Sequence, residues 1–399
     1  MSSNNRRQNN LLHTPDGVRD IYGREYENIK YVRKTIADVI SSYGYTDIQT
    51  PSFEYFDVFS RDIGTTPSKD LYKFFDKEGN TLVLRPDFTP SVARCMAKYF
   101  SQEILPVRFR YQGNTYINTS DLQGKLKETT QIGFELINDS SIYADAEALT
   151  IVIESLINAG LKEFQVSIGE SNYFKGICEE ANLDEETELK LRDYISSKNF
   201  YASREFLSGQ SIDATFLNRL EAVSKAYLPA NDLEKLLESA TNIRSRNAIS
   251  RLIAIRKLLS EAGYERYISF DLTMLSKYHY YTGIIFAGYT YGVGNPIVKG
   301  GRYDRLIEKF GKDAPSVGCV FQIDEIQTAI RRTGIRNDGD DIGKVVIVYH
   351  AENYNEALAE AKRLRGDGFA TEMILYDANL GKDYYDKKES ELGHRWILF

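Results

Sequence analysis

Two neighbouring stretches, PVRFRYQGNTYIN at residues 106–118 and KETTQIGFELIN at residues 127–138, decide the fold of this chain. Both are rich in the β-branched and aromatic residues that are typical of strands, and a polar loop separates them. We therefore predict two strands joined by this loop. A helix from Asp145 to Ala159 is predicted to follow them, because apolar residues recur there at helical spacing.

Further helices and strands are predicted on both sides of this pair. Upstream, the sequence favours a helix that ends at Gly44, a hairpin around Glu78-Gly79-Asn80 and a helix from Pro90 to Tyr99. Downstream, strand patterns occur at residues 266–275 and 280–292. The chain therefore combines strands and helices in its first part.

Composition divides the chain into segments. Between the two strand-rich parts, Leu, Glu, Lys and Ala at helical spacing predict an inserted helical domain. After a run of turn-forming residues, strand and helix patterns alternate, which predicts a small α/β module of about three strands and two helices. The expected segments are a disordered tail at 1–13, a core at 14–171 and 264–335, the helical insertion at 172–263, a linker at 336–343 and the C-terminal module at 344–399.

Overall composition excludes several classes of protein. No apolar run approaches the roughly 18 to 20 residues that span a bilayer, so we expect no membrane contact. Cysteines are few and widely separated, which fits a reducing cytosol and predicts a cytoplasmic protein. The 3 cysteines and 4 histidines are scattered without metal-binding spacing, so we expect no metal and no cofactor. A net charge of −7 gives no overall attraction to nucleic acid.

Six short motifs, in order along the chain, carry a resemblance to a known family. They are TPDGVRD at 14–20, YGYTDIQTPSFE at 43–54, LRPDFTPSVAR at 84–94, QIGFELI at 131–137, YYTG at 280–283 and GGRYDRLIEKFG at 300–311. Together they resemble the class II histidyl-tRNA synthetase family. The resemblance implies an α+β fold of the class II aminoacyl-tRNA synthetase type, with an antiparallel sheet, flanking helices and a homodimer interface near Pro51.

The resemblance also implies a pocket for the amino acid histidine. An α-ammonium group needs a carboxylate and neutral acceptors, and an imidazole needs a donor and an acceptor. Taken singly, each tyrosine fits packing equally well, and each polar residue fits a solvated strand edge. Arg85 and Lys277 are both open as partners for the ligand's carboxylate. The residues that the resemblance assigns to histidine are Asp87, one methylene shorter than the family's glutamate, Thr89, Gln131, Glu135, Tyr280, Tyr281 and Tyr303.

Three positions depart from the synthetase pattern. Arginines that hold ATP phosphates in the family correspond here to Ile117, Ser276 and Glu325. A charge-assisted hydrogen bond contributes about 1.5–3 kcal/mol, so the loss of three removes about 5–9 kcal/mol of phosphate binding. Lys277, or Lys125 with Lys127, could bind the phosphates only if the alignment to the family motifs were shifted. Lysine also does not reproduce the two-pronged hydrogen bonding of an arginine. We therefore expect very low synthetase activity.

A histidine pocket without ATP-binding cations resembles another family of the same fold, the regulatory subunits of ATP phosphoribosyltransferase. This resemblance implies a non-catalytic subunit, a homodimer within a hetero-octamer, a short-form catalytic subunit as partner and L-histidine as feedback inhibitor of the first step of histidine biosynthesis. We expect residues 276–283 to transmit the inhibition.

Two alternatives remain at the level of sequence. One is a histidyl-tRNA synthetase with atypical ATP contacts, and the other is a synthetase-derived module that binds tRNA or controls translation. The C-terminal module disfavours tRNA binding, because residues 344–399 contain 8 Lys and Arg against 10 Asp and Glu.

Overall fold

The computed structural model describes residues 12–60, 63, 66–119, 125–208, 216, 220, 232–275, 281–334 and 343–399. The chain forms two compact units, Met1–Arg336 and Asn337–Phe399. Each unit has its own sheet and its own hydrophobic core. The boundary between the units falls in the stretch predicted as a linker, of which only Gly343 is described.

An eight-stranded sheet forms the centre of the first unit. Its five inner strand pairs are antiparallel, as predicted, whereas the outermost pair at each edge is parallel. A parallel neighbour needs a long connection rather than a hairpin, and long connections lead to both edge strands. In spatial order the strands are β1 (Thr46–Asp47), β5 (Val107–Tyr116), β6 (Glu128–Ile137), β11 (Ser316–Gln322), β10 (Val298–Arg302), β9 (Ile284–Thr290), β7 (Phe164–Glu170) and β8 (Ile268–Phe270).

A separate three-stranded antiparallel sheet lies within the same unit. It consists of β2 (Phe53–Tyr55), β4 (Thr81–Leu84) and β3 (Lys73–Phe75), in that order. The predicted hairpin joins the last two, and Gly79 adopts the left-handed φ of +85° that its turn requires.

Helices cover both faces of the central sheet. On one face the larger core joins helix and strand side chains such as Ile36, Val152, Phe134 and Phe286. On the other face a smaller core contains Phe88, Met96, Tyr111 and Tyr303. The helices are α1 (Gly23–Ser42), α2 (Thr89–Tyr99), α3 (Ile142–Asn158), α4 (Ser171–Glu180), α5 (Glu185–Ser196), α6 (Phe200–Ser208), α7 (Asp232–Ser239), α8 (Ile243–Glu261) and α9 (Ile323–Thr333).

Helices α4 to α8 occupy the segment predicted to be helical. Their apolar faces belong to the same core as the central sheet, since Phe174, Leu191 and Leu252 pack in one cluster with Val166 and Phe270. The helices begin at conventional caps; for example, the Asp184 side chain accepts a hydrogen bond from the Thr187 amide at 2.7 Å. This placement brings the α5–α6 connection close to the sheet face described below.

The second unit is a small α/β structure. Its parallel sheet has the order β13 (Ala370–Leu375), β12 (Lys344–Tyr349) and β14 (Arg395–Leu398). The helices α10 (Tyr354–Gly366) and α11 (Lys382–Leu392) connect the strands. The predicted three strands and two helices are therefore found. Among the described helices of both units, none combines the length and apolar character needed to cross a membrane.

Candidate ligand-binding site

A cavity of about 490 Å³ opens over one face of the central sheet. Its floor comes from β6, β11, β10 and β9, and its walls come from the segment before α2, the α5–α6 connection and the turn after β8. This volume falls in the range of small-molecule sites. The cavity is therefore the candidate binding site of the first unit.

The strand register determines which side chains form the floor. Because side chains alternate between the two faces of a strand, residues that pair across neighbouring strands form rows on one face. One row runs from Glu135 across Gly318 and Gly301 to Ile285, and the next runs from Gly133 across Val320 and Lys299 to Ala287. A third begins with the pair Gln131 and Gln322.

Glycines in these rows make space for larger neighbours. A Cβ atom on Gly318 would overlap the Glu135 carboxylate, and one on Gly133 would overlap the Tyr111 hydroxyl. A Cβ atom on Gly301 would lie 2.6 Å from the Tyr281 ring. The glycines therefore allow an acidic and two aromatic side chains to lie flat along the sheet.

Glu135 is the central polar group of the cavity. It is 1% exposed, and its carboxylate accepts hydrogen bonds from Thr89 Oγ1 at 2.9 Å, from the Tyr111 hydroxyl at 3.1 Å and from the Tyr303 hydroxyl. Burial raises the pKa of Glu135 to about 7, although the three donated hydrogen bonds act in the opposite direction. The carboxyl group can therefore exchange a proton near neutral pH.

Gln131 supplies a second polar group on the same strand. It lies four residues before Glu135 and therefore faces the same side of the sheet. Its amide nitrogen donates to Gln322 Oε1 at 3.4 Å, while its buried amide oxygen has no hydrogen-bond partner in the described part of the chain. A buried unsatisfied acceptor is costly, and a ligand N–H group would satisfy it.

The structure brings most of the predicted histidine-binding residues together. Tyr280 lies outside the described residues. Ser276, one of the three positions where the family has a phosphate-binding arginine, also lies outside them. Of the other two such positions, Ile117 lines the cavity, whereas Glu325 is not part of its lining and accepts a hydrogen bond from the Asn295 amide at 2.8 Å. The predicted residues that line the cavity are Asp87, Thr89, Gln131, Glu135, Tyr281 and Tyr303.

Arg85 is engaged elsewhere and does not line the cavity. It is 7% exposed, and its guanidinium group donates to the carbonyl oxygens of Thr50 at 3.0 Å and Asn114 at 2.9 Å. The same group lies over the Phe88 ring, 4.0 Å from its centre. Lys277, the other candidate partner for the ligand's carboxylate, lies outside the described residues. The described residues therefore place neither candidate at the site.

Two cavity residues, and one residue that contacts Glu135, were not anticipated from the sequence. Tyr111 donates to Glu135, and its position becomes evident only once β5 is paired with β6. Lys299 lies on the floor in β10, and Lys198 reaches the cavity from the α5–α6 connection. The Lys198 ammonium group is 3.7 Å from Asp271 Oδ2. The alternation of β10 could have revealed Lys299, since it is two residues from Gly301.

A buried ion network supports the site from the opposite face of the sheet. Arg302 follows Gly301 in β10 and therefore points away from the floor. Its Nε donates to Asp145 Oδ1 at 2.9 Å, and Arg251 Nε donates to Asp145 Oδ2 at 2.6 Å. A second cavity, of about 750 Å³, lies beside this network. The pairing of Asp145 with the two arginines neutralises charges that would otherwise be costly to bury.

The fold and the glycine-floored pocket define a protein of the class II histidyl-tRNA synthetase type. A family model described as histidyl-tRNA synthetase matches residues 17–326. Histidyl-tRNA synthetase from Nostoc superposes with a TM-score of 0.80 over 96% of this chain and 90% of that chain, at 20% identity, which supports the fold alone.

More specific matches come from regulatory subunits. The ATP phosphoribosyltransferase regulatory subunit of Clostridium kluyveri is 35% identical over 365 residues, covering 91% of this chain and 93% of that protein. The same subunit of Acetivibrio thermocellus is 35% identical, covering 91% and 87%. A crystal structure of an ATP phosphoribosyltransferase regulatory subunit/histidyl-tRNA synthetase from Bacillus halodurans is 28% identical, covers 98% and 99% of the two chains and has a TM-score of 0.87. This chain belongs to the ATP phosphoribosyltransferase regulatory subunit family.

Proposed function

We propose that this chain is a non-catalytic regulatory subunit that binds L-histidine in the cavity over the central sheet. It activates a short-form ATP phosphoribosyltransferase catalytic subunit in the first step of histidine biosynthesis and transmits feedback inhibition by histidine. The observation that carries the proposal is the Glu135 carboxylate, which is buried, held by three hydroxyl groups and positioned at the cavity.

The polar groups of the cavity match the functional groups of histidine. Glu135 can accept a hydrogen bond from an imidazole N–H or an ammonium group, and Gln131 offers a further acceptor in the same part of the floor. Asp87 adds a second carboxylate at the cavity wall. A ligand with several N–H groups can donate to these acceptors, whereas an apolar ligand leaves the Gln131 amide oxygen unsatisfied.

The cavity is poorly suited to activating an amino acid with ATP. Phosphoryl chemistry needs cations on the phosphate oxygens, and the chain has apolar Ile117 at the cavity wall where the synthetase family has arginine. Glu325 replaces a second arginine of the family and adds negative charge. These two positions support a site that recognises histidine without activating it.

An exposed aromatic surface supports homodimer formation, which is a step toward the proposed hetero-octamer. Phe53, Tyr55 and Phe74 share one face of the small three-stranded sheet and are 51%, 58% and 37% exposed, and the ring centres of Phe53 and Phe74 are 5.7 Å apart. Contiguous exposed aromatic side chains mark protein contact surfaces more often than free surface. The surface lies next to Pro51, where the family resemblance places the dimer interface.

A phosphoribosyl transfer assay tests the proposed function. The catalytic subunit of the same organism would be assayed alone, with this chain, and with this chain plus histidine. We expect activation by the chain and suppression by histidine, and we expect Glu135→Gln to keep the activation while raising the histidine concentration needed for inhibition. Glu163→Gln, at an exposed carboxylate outside the cavity, serves as the matched control.

Two further assays distinguish the alternatives. ATP–pyrophosphate exchange that depends on histidine would indicate an active synthetase, and retention of tRNA at physiological salt would indicate a tRNA-binding module. No effect on phosphoribosyl transfer by the folded chain, with or without histidine, would contradict the regulatory function.

A further inference from the structure

The floor of the candidate site carries opposite charges at two defined positions. Glu135 of β6 lies in the row that continues through Gly318 and Gly301. Lys299 of β10 lies in the adjacent row, and β11 separates the two strands. With strands about 4.8 Å apart and about 3.4 Å per residue, the two Cα atoms are separated by about 12 Å. Their side chains face the same cavity. A ligand between them meets an acceptor at one end and a cation at the other.

Lys299 has no ion-pair partner within 4 Å among the residues that the structure describes. The other described lysine of the cavity, Lys198, already lies 3.7 Å from Asp271. Burial lowers the pKa of Lys299, and the charge of Lys125 acts in the same direction, whereas Glu325 acts against it. An anionic ligand group next to Lys299 would offset this cost of desolvation.

We propose that Lys299 binds the carboxylate of the ligand, so that the cavity selects zwitterionic amino acids over their decarboxylated or reduced analogues. This assignment rests on the proposed histidine-binding function and adds the residue that distinguishes an amino acid from an amine. A lysine on the sheet floor is well placed for this role, because its backbone is fixed on both sides by β9 and β11.

Ligands that differ only in the carboxylate test the assignment directly. L-histidine, L-histidinol and histamine would be titrated calorimetrically into the full-length wild type and into Lys299→Met, Lys299→Arg, Lys198→Met and Lys162→Met. Methionine keeps the length of the lysine stem and removes its charge. Lys162 is exposed and outside the cavity, and therefore provides the matched control.

We expect Lys299→Met to weaken histidine binding by about 10- to 100-fold, the range of one charge-assisted hydrogen bond. Histidinol and histamine binding should change by less than about two-fold, because these ligands lack the group that Lys299 contacts. Lys299→Arg should recover most of the affinity for histidine. Lys162→Met should bind all three ligands as the wild type does.

Each contrary result has a distinct meaning. If Lys299→Met weakens the binding of all three ligands equally, Lys299 only maintains the shape of the cavity, and the assignment is overturned. A carboxylate-specific loss in Lys198→Met, with none in Lys299→Met, would transfer the role to Lys198. Failure of the folded wild type to bind histidine would overturn the proposed function, and this assignment with it.

Discussion

Glu135 of β6 pairs directly with Gly318 of β11, and the space that a side chain on Gly318 would fill is occupied by the Glu135 carboxylate. The acidic group of the site therefore lies along the sheet instead of standing upright from it. This position puts its two oxygen atoms within reach of hydroxyl groups from three different segments, Thr89, Tyr111 and Tyr303.

The first prediction follows from this packing. Gly318→Ala should displace the Glu135 carboxylate, weaken histidine binding by at least about 10-fold and destabilise the chain by about 1–3 kcal/mol, as overpacking does in other cores. Calorimetric titration and urea denaturation measure the two effects. Gly294→Ala is the matched control, because a Cβ atom there meets nothing within 4 Å. Unchanged histidine affinity in Gly318→Ala would mean that the position of Glu135 does not determine binding.

The second prediction concerns the pH dependence of stability. The pKa of Glu135 is raised from an ordinary 4.5 to about 7, so the folded chain holds a proton that the unfolded chain releases between these values. The wild type should therefore lose stability relative to Glu135→Gln as pH rises through this window, by at most about 1.4 kcal/mol per pH unit, and the difference should level off above pH 7. Urea denaturation at several pH values measures it.

An exposed carboxylate provides the comparison for this experiment. Glu163→Gln makes the same substitution at an exposed carboxylate outside the cavity and is therefore measured in parallel. A pH-independent difference between the wild type and Glu135→Gln would show that Glu135 is ionised across this pH range and that its three hydroxyl donors offset burial.

Local sequence patterns were sufficient for several parts of the fold and site. The composition of β5 and β6 predicted the strand pair, and turn chemistry predicted the hairpin at Gly79. Gln131 and Glu135 are separated by an even number of residues on one strand, so their common orientation follows from strand geometry alone. The motif resemblance added Thr89 and Tyr303, whose proximity to Glu135 no local pattern would indicate.

Other features depend on register and tertiary packing. Tyr111 reaches Glu135 because β5 and β6 pair with Tyr111 opposite Gly133, and a shift by one residue would turn Tyr111 to the other face. The two parallel edge strands depend on the path of long connections. Lys198 reaches the cavity only because the helical segment packs on the central sheet. A single sequence contains no direct signal for such long-range placements.

A third prediction concerns the ion network on the opposite face. Asp145 is 0% exposed and pairs with both Arg302 and Arg251, so its removal leaves buried positive charge without its partner. Asp145→Ala should therefore lower the free energy of unfolding by about 3–5 kcal/mol. Urea denaturation measures the loss, and Glu186→Ala, which removes an exposed pair with Lys190, should cost less than about 1 kcal/mol. A small loss for Asp145→Ala would indicate that Asp304 and backbone carbonyls are sufficient partners for Arg302.

The last prediction concerns transmission of the histidine signal. The Thr282 hydroxyl donates to Asp304 Oδ2 at 2.9 Å and accepts from the Asp304 amide at 2.9 Å, and these two residues directly follow the cavity tyrosines Tyr281 and Tyr303. The Asn172 side-chain Nδ2 also donates to the Thr282 carbonyl oxygen at 2.6 Å, which links the segment to α4. Thr282 therefore joins the cavity wall to the helical segment.

Replacement of Thr282 by valine keeps the shape of the side chain and removes the hydroxyl group, including its two hydrogen bonds with Asp304. We expect Thr282→Val to activate the catalytic subunit as the wild type does, but to reduce the maximal inhibition by histidine, because allosteric coupling is typically only about 1–3 kcal/mol and two hydrogen bonds contribute a similar amount. Thr290→Val, at the other end of β9, removes a single exposed hydrogen bond to the Glu163 carbonyl and should leave the inhibition curve unchanged. If Thr282→Val shifts only the histidine concentration for half-inhibition, with full inhibition at saturation, the segment contributes to affinity and the coupling runs through other residues.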